Sequence, residues 1–170
     1  MPASIDPNAL AIIASTPATL RSLLGALSPA LLAAPNAEGW SLKDIVAHLH
    51  DAEDVAFVAR ITRMLREERP AIASIDPPAR LKAGGYAARG LAELLGDLAR
   101  QRAAHVAWLA ALGPAELECR GEHDTAGEIR VVDVAHQWAA HDVMHLRQIA
   151  LMIQQHLAPQ MGNTRGFYDV

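Results

Sequence analysis

Two histidines four residues apart, His141 and His145, are the residues of this chain best suited to chemistry. On a helix, side chains at i and i+4 share one face with Cβ atoms about 5–6 Å apart, near enough for both imidazoles to reach one metal ion. Val134, Trp138, Ile149 and Met152 extend the same stripe in steps of three or four, which predicts that the pair faces a core. Burying two imidazoles leaves four ring nitrogens needing partners, and a cation engages half of them at once. Eight histidines in 170 residues give about 0.4 such pairs by chance, so hydrogen-bonded core histidines are the competing reading of the pair alone.

A third ligand must come from another helix. His48 shares an inward face with Ile45, Ala52 and Val55, whereas His50 is rotated away by about 200°. Three neutral imidazoles suit Zn2+, Ni2+ or Fe2+ and leave coordination positions open for water or substrate. His105 also lies on an apolar stripe, but near a helix end, where a satisfied core or capping histidine is the expectation. His123, His136 and His156 fall in a loop, off the stripe and near a terminus, and read as solvated or incidental.

Four long helical patterns must position these residues. Asp6-Pro7 starts the first, with Leu10, Ile13, Leu20, Leu24 and Leu27 at helical spacing; Pro17 lacks an N–H and is expected to kink or split it after Thr16. Ser28 to Gly39 is an Ala/Pro-rich connection. Ser41, with Asp44 three residues on, is a capping-box-like start for a second helix running to about Arg66. Pro70 to Gly85 reads as a loop without strand alternation. A third helix from about Tyr86 to Leu112 ends at Gly113-Pro114, a long connection follows to Arg130, and the last helix spans about Val131 to His156. The tail from Pro159 is expected to pack as an irregular strap or fray. With no clear strand or repeat, the prediction is one all-α domain over residues 1–170, an antiparallel four-helix bundle with long connections.

Composition narrows the function classes. At 51% apolar residues the chain can bury one core. Fifteen basic against nineteen acidic residues, net charge −4, offer no broad cationic surface, so nucleic acid is not an expected partner. Every apolar run is shorter than a membrane span, and no leader pattern opens the chain. The single cysteine, Cys119, excludes an internal disulfide and a Cys-rich zinc site, which points to a reducing, cytoplasmic setting with Cys119 structural or incidental.

Two segments together, Trp40-Ser41-Leu42-Lys43-Asp44-Ile45-Val46-Ala47-His48-Leu49 and His141-Asp142-Val143-Met144-His145-Leu146-Arg147-Gln148-Ile149, resemble the DinB-like superfamily, also called the DinB/YfiT-like metalloenzymes. The likeness spans nearly the whole chain, including Gly127-Glu128-Ile129 before the last helix. It implies a four-helix bundle holding Zn2+ or Ni2+ through one histidine of the second helix and two of the last, positions that map onto His48, His141 and His145. It also implies thiol transferases and isomerases using mycothiol or bacillithiol among the relatives.

The leading expectation is therefore metal activation of a low-molecular-weight thiol for transfer to a small-molecule substrate, with metal-assisted hydrolysis as the alternative. A non-enzymatic metal or small-ligand binder, forming a homodimer through an exposed helical face, is the reading from a different class. Asp142 stands where the His-Glu-x-x-His motif has its Glu, yet points off the ligand stripe; the expectation is a surface residue or a support for the ligands rather than a base. Asp44 either caps its helix or backs His48. Arg147 either guides an anionic substrate or thiol or lies on a solvated face, and no catalytic role is assigned to it or to Gln148.

Overall fold

The computed structural model describes residues 2–168. Asp6 caps α1, Pro7–Leu24, by accepting the Asn8 N–H at 2.8 Å, with Pro7 in the first turn. The short α2, Pro29–Ala33, is capped by Ser28. Ser41 and Asp44 form a reciprocal capping box at the start of α3, Leu42–Ala52. A π-helical turn, Glu53–Val58, carries the rod on into α4, Ala59–Arg66. Then follow β1, Ala71–Ile72; α5, Pro77–Ala83; a 3-10 turn at Tyr86–Ala88; and α6, Leu91–Ala110. The chain closes with α7, Pro114–Leu117; β2, Arg120–His123; β3, Gly127–Arg130; α8, Val131–Leu157; and 3-10 turns at Ala158–Gln160 and Gly162–Phe167.

A four-helix bundle results, as the sequence predicts, made of α1, the α3–π–α4 rod, α6 and α8. The rod's N-terminal half, α3, packs on α6 and α8, and α1 packs on the same two, so α1 and α3 stand at opposite corners. Two apolar clusters fill the bundle. One gathers Ile13, Phe57, Ile61, Leu109 and Trp138; the other Leu20, Leu24, Ile45, Leu49, Leu94, Leu98 and Ile149. The order in which each helix passes through them fixes its direction: α1 and α8 run one way, α3 and α6 the other. The rod and α6 are thus consecutive and parallel, a departure from the all-antiparallel order expected of the bundle, and residues 67–90 must travel back along it to join them.

That return segment holds structure the sequence pattern does not reveal. Its β1 pairs in parallel with β2, and β2 pairs antiparallel with β3, giving a three-stranded sheet where no strand was expected. Gly121 of β2 lies where an added Cβ would meet Ile72 and Met64 side chains at 3.1 Å, so the strand needs a glycine to sit this close to the core. The stretch read as a loop also contains α5, started by Asp76-Pro77 as α1 is by Asp6-Pro7. The third long helix begins at Leu91 rather than Tyr86. Among the described residues no helix is long and apolar enough to cross a membrane.

Between the two apolar clusters lies a polar layer: Thr16, His48, Glu53, Arg102, Asp142 and His145, all buried. Its centre is Arg102, 1% exposed. Arg102 Nε donates to Glu53 Oε2 at 3.0 Å, and Nη1 donates to Asp142 Oδ2 and to the Ile13 carbonyl at 2.7 Å. Both carboxyls are fully buried. Burial pushes both up, and the guanidinium opposes the rise.

Two irregularities serve this layer. The Ile13 carbonyl is free because Pro17, four residues on, has no N–H to offer; Pro17 therefore does not split α1, whose helix runs unbroken to Leu24. The Thr16 hydroxyl meanwhile donates to the Ile12 carbonyl at 2.9 Å. The π turn puts Glu53 and Phe57 both in the interior, Glu53 toward Arg102 and Phe57 stacked on Trp138 at 4.9 Å. Asp142, expected at the surface or behind the ligands, is instead a core residue because α8 is covered on two sides. His105 does not cap α6: its Nδ1 lies 2.7 Å from Glu53 Oε1, at the solvent end of the same layer.

Truncating Arg102 strands two carboxyls in the core. Arg102→Ala is expected to lower unfolding stability by about 3–5 kcal/mol, measured by urea denaturation; a loss below about 1 kcal/mol would show that the cluster is not a structural joint.

Candidate metal centre

His48 comes from the middle of α3, and His141 and His145 from adjacent turns of α8. His48 Nε2 and His141 Nε2 are 3.0 Å apart, His141 Nε2 and His145 Nε2 3.2 Å apart, and all three ligand atoms lie within 4.8 Å of one another. Nitrogens about 2.1 Å from one ion stand about 3.0 Å apart at octahedral and about 3.4 Å apart at tetrahedral angles. The two short separations match that range. The structure thus brings together all three histidines singled out from the sequence.

The rings are held from behind. Gln148 Oε1 accepts from His145 Nδ1 at 2.8 Å, which leaves the Nε2 lone pair directed at the cluster. Trp40 meets His48 edge to face at 5.4 Å, and Phe57 meets His141 in the same way at 5.2 Å. His141 Nδ1 is buried and has no hydrogen-bond partner among the described residues. At the cluster itself, His141 Nε2 faces two ring nitrogens and can share one proton at most, so hydrogen bonding among neutral rings cannot satisfy all three Nε2 atoms, whereas a shared cation takes up three lone pairs at once.

Burial keeps the imidazoles neutral. It pushes His48 down to about 4 and His141 to about 3, each helped by the neighbouring His145, and it lowers His145 as well. Neutral imidazole is the form that binds a metal.

The cluster opens into a cavity of about 730 Å3 whose walls include Trp40, Phe57, Met144 and Leu151, with Arg60, His123, Gln137 and Arg147 among the polar groups. Ser74, Ile75 and Pro77 of the return segment also line it. Asp51, one turn past His48, also lines it, held by Arg80 at 2.6 and 2.9 Å and by the Tyr86 hydroxyl at 3.2 Å.

The remaining sequence candidates sort cleanly. Asp44 is the α3 cap, its Oδ2 accepting from the Ser41 N–H and hydroxyl at 3.0 and 2.6 Å. Asp142 faces Arg102, so its carboxylate is spent in the core. His50 points at Tyr86 rather than at the cluster. His123 is half-buried in the cavity wall, and His136 accepts from the Asp6 N–H at the start of α1. Arg102 and Glu53 escaped the sequence reading, although an arginine four residues past Leu98 and seven before Leu109 on an apolar stripe is the mark of a buried ion pair.

A family model of the DinB superfamily matches residues 12–149. The chain belongs to the DinB superfamily. It is similar to a solved structure described as YfiT from Bacillus subtilis, a probable metal-dependent hydrolase with an unusual four-helix bundle topology; the identity is 21%, over 90% of each chain, with a TM-score of 0.81. That likeness is one of fold. No curated protein matches significantly.

Removing the acceptor in Gln148→Ala is expected to weaken metal binding about 10–100-fold, while Gln148→Glu, which keeps an acceptor, retains it; competition with a chelating dye reads both. The pH response of the metal-free protein follows from the histidines. Their folded values of about 4 and about 3 lie below the ordinary 6.5, so the unfolded chain takes up protons first as pH falls. Stability from these sites is present above pH 6.5 and is lost as pH falls toward 4 and 3. The melting temperature of metal-free protein should drop across that interval, and a His48→Ala/His141→Ala variant should drop less.

Proposed function

We propose that this member of the DinB superfamily is a divalent-metal-dependent enzyme that activates water or a low-molecular-weight thiol for attack on a small molecule. The observation that carries the reading is the convergence of His48, His141 and His145 Nε2 at the wall of a cavity of about 730 Å3. A bound ion such as Zn2+ or Ni2+ supplies Lewis acidity and lowers the pKa of a water or thiol placed against it. Three protein ligands leave room for that group.

The chain's own residues set the conditions. The three histidines stay neutral through burial, Gln148 fixes the face that His145 presents, and Trp40 and Phe57 pack edge to face against the His48 and His141 rings. Asp142 does not serve as general base here, because its carboxylate is turned to Arg102. Hydrolysis is favoured by the likeness to YfiT, itself described as a probable metal-dependent hydrolase. Thiol transfer is the second reading. Cys119, the only cysteine, lies just beyond α7 with Sγ against the Ala115 carbonyl at 3.7 Å, so a thiol nucleophile would have to enter as a cosubstrate.

The purified protein is expected to hold about one divalent ion per chain, and His48→Ala, His141→Ala and His145→Ala each to lose it on dialysis, by elemental analysis. Stoichiometric metal in all three variants would sink the site. Turnover of small esters and amides without added thiol supports hydrolysis; turnover of electrophiles only with bacillithiol, mycothiol or glutathione supports transfer. Ligand binding that depends on metal but gives no turnover would make the protein a binder instead.

A further inference from the structure

The cavity wall carries positive charge that the fold does not use. Arg147, two residues past His145, is exposed on the cavity side of α8 and makes no hydrogen bond or ion pair among the described residues. Arg60 of α4 lines the same cavity, half-buried, with Nη2 donating to the Ala73 carbonyl at 2.9 Å and no ion pair of its own. Asp124, kept ionised by accepting from the Ser74 N–H and hydroxyl at 2.7 and 2.6 Å, acts on it through space and offsets part of its charge.

Two carboxylates share the wall with these arginines. Asp51 is matched by Arg80, and Glu38, on the connection before α3, is the one wall carboxylate without an ion pair among the described residues. Arg147 is thus a guanidinium of the wall with no carboxylate held against it among the described residues. An ion held by three neutral imidazoles would add its full double charge, since no carboxylate ligand offsets it. Arginine presents a planar fork suited to an oxyanion, and a half-enclosed cavity focuses the field of such groups.

We propose that the cavity selects a small molecule with an apolar body and one oxyanionic group, carboxylate or phosphate. Arg147 receives the oxyanion, Arg60 adds to the field, and Phe57, Met144 and Leu151 take the apolar body. The placement of the reacting bond at the histidines rests on the metal-dependent function proposed above; the preference for an anion does not.

Calorimetric titration of metal-loaded and metal-free protein with 4-phenylbutanoate, 2-phenylethyl phosphate and the neutral 4-phenylbutanamide tests this. One of the anions is expected to bind at least about tenfold tighter than the amide, and whichever binds tighter identifies the oxyanion. Arg147→Gln, on an exposed position that leaves folding intact, should remove most of that gap without changing metal content, and Arg60→Gln should narrow it. Equal affinity for acid and amide, no binding of either anion, or an unchanged gap in Arg147→Gln overturns the proposal. Failure of the metal reading is seen separately, as absent metal, and the arginine-dependent preference of the metal-free protein then still decides this one.

Discussion

One guanidinium holds the bundle's middle together. Arg102 reaches from α6 to the π turn through Glu53, to α8 through Asp142 and to α1 through the Ile13 carbonyl, so a single side chain touches all four columns of the bundle. In a low-dielectric interior such a cluster is costly to form and far more costly to break, because each partner alone would be an unmatched charge. The departures from regular helix in its surroundings follow from that constraint. Pro17 frees an acceptor for it, and the π turn delivers Glu53 to it.

The same constraint sets the histidines. Successive residues on a helix are turned by about 100°, so pinning Asp142 into the core fixes where His141 and His145 point. The layer thus has two sides: a charged one facing the bundle axis and an imidazole one facing the cavity. Phe57 and Trp138, stacked on each other, lie against both: Trp138 under Arg102 at 5.2 Å, Phe57 against His141.

Much of this was legible in the sequence. The spacing of His141 and His145 placed them on one helical face, and the Trp40-Ser41 start brought His48 into the same reading; the long helices followed from three-to-four residue apolar steps. The missed parts have physical reasons. Arg120-Gly121-Glu122-His123 shows no apolar alternation because its pairing is set by backbone contacts to Pro70 and Ile72, not by a buried face. The π turn answers a tertiary demand and has no local signature. Asp142 lay off the only stripe considered, and a helix covered on two sides has more than one. α5, by contrast, announced itself with Asp76-Pro77, the signal used correctly at Asp6-Pro7.

The return of the chain between two parallel helices has a consequence for how such a protein can change over evolutionary time. Residues 67–90 stand outside the helical frame yet supply one face of the cavity, through Ser74, Ile75 and Pro77, while the histidines sit wholly on the frame. Connecting segments tolerate insertion and substitution better than packed helices do. The histidine cluster and this part of the cavity wall therefore belong to different parts of the chain. A lengthened or altered return segment can reshape the entrance for a new compound while the three imidazoles keep their positions, which gives one frame a ready route to many specificities.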